Sequence, residues 1–379
     1  MTRSGRLFAS YAGFTILAWY LSAMGAVLPP LRDEAGNWAG VYALLPGAVL
    51  FGWGLITLAR GSRSTSDREP NIAVGLTVLT ISIGVMGVTG APAISLIGAA
   101  VAAIAAAHVN RTLPGMLATA SGGRPVQPVL MRANAFSSVA AIIAPLAVGA
   151  SLAIGAGWIT GYVVPIAIGA VLVCALAMRA GGPERSFETM DPAPLPPFRH
   201  WWRACAVLGV AVVVEFCFTY FAVTYLHDER GLSKAAAAAG GAAWGIGMAI
   251  GRFAFSVRQP PPSIVPSAAV ILAGFVLFWG VPNSAVAIIG ITIAGLGVAP
   301  LYPSRIIILM ERFPGATHEG SKRAALASGW ALLVAPALMV SLRAASNVRV
   351  AYLVVPVLLV LLVALASPRW EHSRHLVAA

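Results

Sequence analysis

The stretch AYLVVPVLLVLLVALA (351–366) carries no charged side chain. About 20 residues of this kind, wound as a helix, cross the ~30 Å hydrocarbon core of a bilayer. One such run fits a buried core helix; twelve do not. Candidate spans lie at 7–29, 38–59, 71–90, 92–118, 128–153, 157–179, 202–226, 232–256, 263–281, 284–312, 322–344 and 348–366. Within lipid every backbone polar group must be bonded inside the protein, so these spans read as helices. Composition agrees: 59% of the 379 residues are hydrophobic and 10% charged, too few to coat a soluble domain. The fold class expected is an all-α membrane protein with 12 transmembrane helices.

The net charge of +12 invites a nucleic-acid reading, but the basic residues are spread among loops. ARGSRSTSDREP, SGGRPVQPVLMR, VRQPPP, ERFPGATHEGSKR and PRWEHSRH are all basic or mixed joints. Cytoplasmic loops of membrane proteins carry such an excess of arginine and lysine. Placing them inside puts both termini in the cytoplasm of a multi-pass protein of the inner (cytoplasmic) membrane, with LRDEAGN and LHDERGLSK outside. MTRSGR runs straight into an apolar segment without a cleavage pattern, so no separate signal peptide is expected. Cys174, Cys205 and Cys217 show neither C-x-x-C spacing nor a paired framework, which points to no metal and no disulfide. No H-E-x-x-H, G-x-S-x-G or Walker pattern occurs. The expectation is a non-enzyme with no cofactor, no metal and no nucleic-acid partner.

The longest polar interruption, residues 179–203, is rich in proline and reads as a semi-extended linker. The domains expected are a six-helix bundle over 1–180, a cytoplasmic linker over 181–201 and a second six-helix bundle over 202–379. Span 4, AAHVNRTLPGMLATASGG, and span 10, LYPSRIIILMERFPG, align with Arg111 opposite Arg305, His108 opposite Tyr302 and Asn110 opposite Ser304. Two related halves with a site between them are common in transporters.

Three segments resemble the major facilitator superfamily, specifically its fucose–proton symporter-like branch. YLHDERGLSKAAAAAGGAAWGIGMAIGRF (225–253) looks like that branch's helix 7–8 junction. GLGVAPLYPSRIIILMERFPG (295–315) is similar to its helix 10, and RANAFSSVAAIIAPLAVG (132–149) to its helix 5. The resemblance implies two six-helix bundles, alternating access to a central cavity and a monomeric protein. It also implies a conformational role for Gly54 and Arg63 after helix 2, and for their counterparts Gly251 and Arg252. Leu58 stands where the family's motif carries an acid, and spans 1 and 4 lack the intramembrane carboxylates of sugar-transporting members.

Charges inside the membrane cost about 2.5–3.5 kcal/mol each on insertion scales, so each is a functional candidate. Glu215 in VVVEFCFTYF is the one carboxylate deep in a span and the candidate for proton coupling. Pairing with a neighbouring arginine as a packing lock is its alternative role. Arg111 and Arg305 lie roughly 9 Å from the middle of their spans toward the cytoplasmic side. Three readings stay open for Arg305: binding an anionic solute group in bidentate fashion, pairing with Glu215, or snorkelling to the interface. Candidate substrate-binding neighbours are His108, Asn110, Tyr302 and Asn134. The mid-depth aromatics Trp19, Tyr20 and Phe218 join them, with packing as the competing role. Trp201 and Trp202 fit an interfacial anchor. The glycines of GIGMAIG (245–251) read as close helix contacts, and LGVAP and LPG as kinks.

The function expected is a secondary active transporter of a small organic solute by alternating access, proton-coupled, with an anionic solute favoured. Its partners would be solute, protons and the lipid bilayer. The alternatives are a proton-driven efflux pump for cationic or neutral amphiphiles, and a receptor-like or assembly protein on the same fold.

Overall fold

The computed structural model describes residues 3–59, 72–87, 91–121, 126–178, 196–256, 263–313 and 317–367. Among these residues there are helices and turns and no strand. The first half contributes α1 (Arg3–Ala35), α2 (Ala39–Ala59), α3 (Ile72–Met86), α4 (Pro92–Ser121), α5 (Val126–Ala153) and α6 (Gly157–Met178). The second contributes α7 (Trp202–Asp228), α8 (Lys234–Ser256), α9 (Ile264–Gly280), α10 (Ser284–Val298), α11 (Leu301–Glu311), α12 (Thr317–Ala345), α13 (Val348–Ala351) and α14 (Val354–Ala366). Residues 179–195, most of the expected linker, lie outside the described residues.

The twelve expected spans are present, two of them in pieces. Span 10 is α10 followed by α11, broken at Ala299–Pro300. Pro300 has no N–H to give, so the Leu296 carbonyl four residues back loses its helical donor. Ser304 Oγ lies 2.6 Å from the Pro300 carbonyl and 3.1 Å from that of Leu301. Span 12 is α13 followed by α14. At LPG the helix is not broken: α4 runs on through residues 113–115. Eight helical segments among the described residues are long and apolar enough to cross a membrane, and three shorter apolar helices accompany them. The protein is a multi-pass membrane protein.

The halves meet along three seams: α1 with α7, α2 with α12, and α5 with α8. Exchanging the halves exchanges span 2 for span 8 and span 5 for span 11, so the second and third seams are equivalent under the internal symmetry. Glycine makes them tight. A Cβ on Gly47 would lie 2.2 Å from the backbone nitrogen of Leu333, and one on Gly245 would lie 2.5 Å from the Ala141 carbonyl. On the first seam, a Cβ on Gly25 would fall 2.2 Å from the Thr219 carbonyl oxygen. The short-range attraction between backbones in contact is what associates helices where lipid removes the hydrophobic drive. Gly54 and Gly251 follow the same rule, meeting Leu326 of α12 and Ala299 beside the α10–α11 break.

An even number of crossings brings both ends of the chain to one end of the bundle, the near end. At the opposite, far end, α1 and α7 stop on equivalent charged turns. Gly36 and Gly231 follow them with φ of +57° and +66°, values open to glycine without strain.

Candidate functional site

Glu215 sits at the midpoint of α7, among residues that are otherwise apolar for two turns on the N-terminal side. Its carboxylate accepts from Arg252 Nη2 of α8 at 3.4 Å, and the two side chains are 14% and 10% exposed. The same guanidinium turns toward the first half. Arg252 Nη1 donates to Ser138 Oγ of α5 at 2.9 Å and reaches the Asn134 carbonyl at 3.3 Å. Its Nε is buried and has no partner. One cation therefore joins a carboxylate of its own half to a hydroxyl and a carbonyl of the other. Tyr302 of α11 lies near enough to feel both charges of the pair.

Arg305 is the arginine named above as a partner for Glu215, but the neighbour found is Arg252, to which the resemblance gives a conformational role. Arg305, on α11 just past the proline break, is half-buried, with Nε 3.4 Å from Ser304 Oγ. Of the other sequence candidates, Asn134 joins the cluster through its backbone oxygen. Asn110 is half-buried on α4. The side chain of Arg111 and the whole of Arg63 lie outside the described residues. His108 points at α3, since a Cβ on Gly75 would lie 2.9 Å from its Cδ2. Two of the mid-depth aromatics are packed in the bundle, the competing role given for them. Tyr20 is 1% exposed and stacks on Tyr162 at 6.2 Å, whose hydroxyl donates to the Tyr20 carbonyl at 2.9 Å. Phe218 is fully buried, stacked 4.9 Å from Trp244 and flanked by Phe278 and Tyr352. Large rings in a helical bundle bury most area by packing on each other, and both residues do so here. Trp19, from the same group, keeps a buried indole N–H without a partner.

A second charged set went unread in the sequence. At the far end Arg32 of α1 grips Asp228 of α7 through two hydrogen bonds of 2.8 and 2.7 Å. Arg343 of α12 adds a third at 3.2 Å, and Asp33 pairs with Lys234 at the start of α8. Glu34 accepts from Trp158 Nε1 at 2.9 Å. The charged turns LRDEAGN and LHDERGLSK thus bind each other across the halves. Their signal was present as acidic and basic residues mixed in both turns, after span 1 and after span 7.

Solved structures of three transporters share this arrangement of helices. A bacterial homolog of the human lysosomal transporter Spinster, in an inward-facing and occupied conformation, superposes with a TM-score of 0.68 at 15% identity, over 96% of each chain. The chain has the major facilitator fold. The fucose:proton symporter of E. coli gives 0.59 at 18% identity, over 95% of this chain and 97% of its own. The nucleoside transporter NupG gives 0.65 at 14% identity, over 96% and 100%. No family model matches the sequence, and no curated protein matches it. Identities this low establish the major facilitator fold and leave the chemistry to the residues themselves. Glu215, Arg252 and Ser138 meet where α8 packs against both α7 and α5.

Proposed function

We propose that this protein is a secondary active transporter that moves a small organic solute by alternating access, coupled to protons through Glu215. The observation that carries the reading is the chain of contacts from Glu215 through Arg252 to Ser138 and Asn134. It is charged, lies at mid-membrane, and crosses the seam between two halves that must separate for a cavity to open. Proton coupling needs a group whose protonation is tied to a structural change. A proton on Glu215 would leave Arg252 without its counter-charge inside the bilayer, where an unpaired cation is costly. Arg252 is then relieved either by releasing α5 toward a wetter arrangement or by an incoming anion.

The second outcome favours an anionic solute, bearing a carboxylate or phosphate. Arg305 and Arg111 sit on the equivalent helices of the two halves, and Tyr302 lies between Arg305 and the Glu215–Arg252 pair in sequence and electrostatic reach. Proton and anion would then load together, each compensating the other's charge. The basic loops support cytoplasmic termini and an inner-membrane location, and the resemblance supports a monomer.

The test is transport by proteoliposomes under an imposed pH gradient, with matched anionic, neutral and cationic solutes. Wild-type protein should accumulate an anion in proportion to the gradient. Glu215→Gln should abolish gradient dependence, and Arg305→Gln should raise the half-saturating anion concentration. If both variants transport with unchanged rate and pH dependence, the scheme is wrong. Extrusion of cationic solutes that survives Arg305→Gln would replace uptake of anions with efflux centred on Glu215.

A further inference from the structure

A cavity of about 400 Å³ opens at the far end between α1, α2, α7 and α12. That volume suits a small molecule. Its wall holds Arg32, Asp228, Arg343, Thr224, Asn347 and Glu229. Along α7 its lining starts about 9 Å from Glu215 at Phe221 and reaches about 20 Å at Asp228.

Two features of this wall are not accounted for by the latch between the halves. The first is the way Asp228 is shared. Its Oδ2 already accepts from Arg32 at 2.8 Å when Arg343 approaches it at 3.2 Å with a single N–H. A guanidinium offers five N–H donors in a planar fork suited to two parallel bonds with a carboxylate. Arg343 therefore meets Asp228 with only part of its fork. The second is Thr224, which is 2% exposed and whose hydroxyl has no partner among the described residues. A buried hydroxyl is costly in that state unless something else satisfies it.

The formal charges decide the class of ligand. Arg32 and Asp228 cancel in a bidentate pair, which leaves Arg343 against Glu229. A wall of that balance accepts one negative charge at Arg343, but a dianion would bring two toward a single incompletely used cation with Glu229 nearby. We propose that this cavity is a second small-molecule site, specific for a monocarboxylate held by Arg343 with the Thr224 hydroxyl as a further donor. Occupancy draws Arg343 from Asp228 and so loosens the far-end latch. The site is independent of the roles given above to Arg305 and Glu215.

Equilibrium binding of radiolabelled propionate to the full-length protein in lipid nanodiscs tests this. Propionamide, of the same shape without charge, and sulfate, a dianion, serve as competitors. Saturable binding is expected that unlabelled propionate displaces and the other two do not. Arg343→Gln should weaken it by about tenfold or more, as for a lost hydrogen bond to a charged group, and Thr224→Val by about threefold to tenfold. If Arg343→Gln does not fold, the near-isosteric Thr224→Val decides alone, and an unchanged affinity overturns the proposal. So does an absence of saturable binding, or displacement by sulfate as effective as by propionate. Binding that Arg305→Gln removes and Thr224→Val leaves intact would place the carboxylate at the central site, upholding the transport reading while refuting this one.

Discussion

Arg252 of α8 donates a 2.9 Å hydrogen bond to Ser138 of α5 while its other terminal nitrogen holds Glu215 of α7 at 3.4 Å. One guanidinium thereby spans the seam between the halves of the molecule. Its removal should be felt in both directions. Breaking a buried pair by deleting one partner strands the other charge and typically costs about 3–5 kcal/mol, whereas deleting both is far milder. Thermal unfolding of Arg252→Leu should thus be lowered more than that of Arg252→Leu combined with Glu215→Leu. Simple additivity of the two single substitutions would show that the pair is not coupled in the folded protein. Ser138→Ala, which removes one of the two acceptors across the seam and leaves the Asn134 carbonyl, should cost about 1.5–3 kcal/mol.

The far-end latch is wetter, with Arg32 and Asp228 at 26% and 20% exposure. A double-mutant cycle on Arg32→Gln and Asp228→Asn should return a coupling of about 1 kcal/mol or less, the usual range for partly exposed pairs. That coupling should shrink in ~1 M salt, where charges are screened over about 3 Å. A coupling of several kcal/mol that ignores salt would mean this end is sealed from water.

Glycine substitutions separate seam from lipid. Gly47→Ala drives a methyl into the Leu332–Leu333 backbone, which cannot yield without moving α12 away from α2. A loss of about 1–3 kcal/mol is expected, the range for overpacking. Gly52→Ala, five residues along the same helix, meets nothing within 4 Å and should be neutral or slightly stabilising. Equal effects in a detergent unfolding series would contradict the seam.

The tyrosine hydroxyls give a paired test. Tyr162 donates to the Tyr20 carbonyl at 2.9 Å, while the fully buried Tyr220 hydroxyl has no partner. Tyr162→Phe should destabilise by about 1 kcal/mol, and Tyr220→Phe should be neutral or stabilising, because it removes a group left unsatisfied. Destabilisation by Tyr220→Phe of the same size as by Tyr162→Phe would show that its hydroxyl is bonded after all.

Much of the scaffold was legible before any coordinates. Hydrocarbon thickness sets helix length, so the twelve spans stood out by run length alone, and the α10–α11 break was readable from a proline inside an apolar run. LPG was less telling, because α4 stays continuous through its proline and only LGVAP marks a break. The glycines of 245–251 could be assigned to close contacts, since spacing shows that a helix face is small. Spacing does not show which helix fills it, and Ala141 and Thr292 are known as the occupants only from the fold.

The candidate site was half legible. Glu215 announced itself, because a carboxylate in the middle of an apolar span is too costly to be incidental. Its partner did not. Arg252 is 37 positions from Glu215 and read as a conformational residue, and Arg305 was the more conspicuous arginine. Tyr20 and Phe218 were plausible cavity residues by depth, but depth carries no angle around the helix axis, and both turned inward to pack.

The sequence by itself determined the solvent this chain lives in, the number and length of its spans, and where charge is placed at a price along each. Those properties are local, since the bilayer acts on each segment through its own hydropathy. Only the tertiary structure decided which charges meet. Ser138 and Arg252 are 114 positions apart, and Arg32 and Asp228 are 196 apart. Such pairs form because glycine-lined helices settle against one another at fixed rotation and register, a collective choice that no single segment encodes.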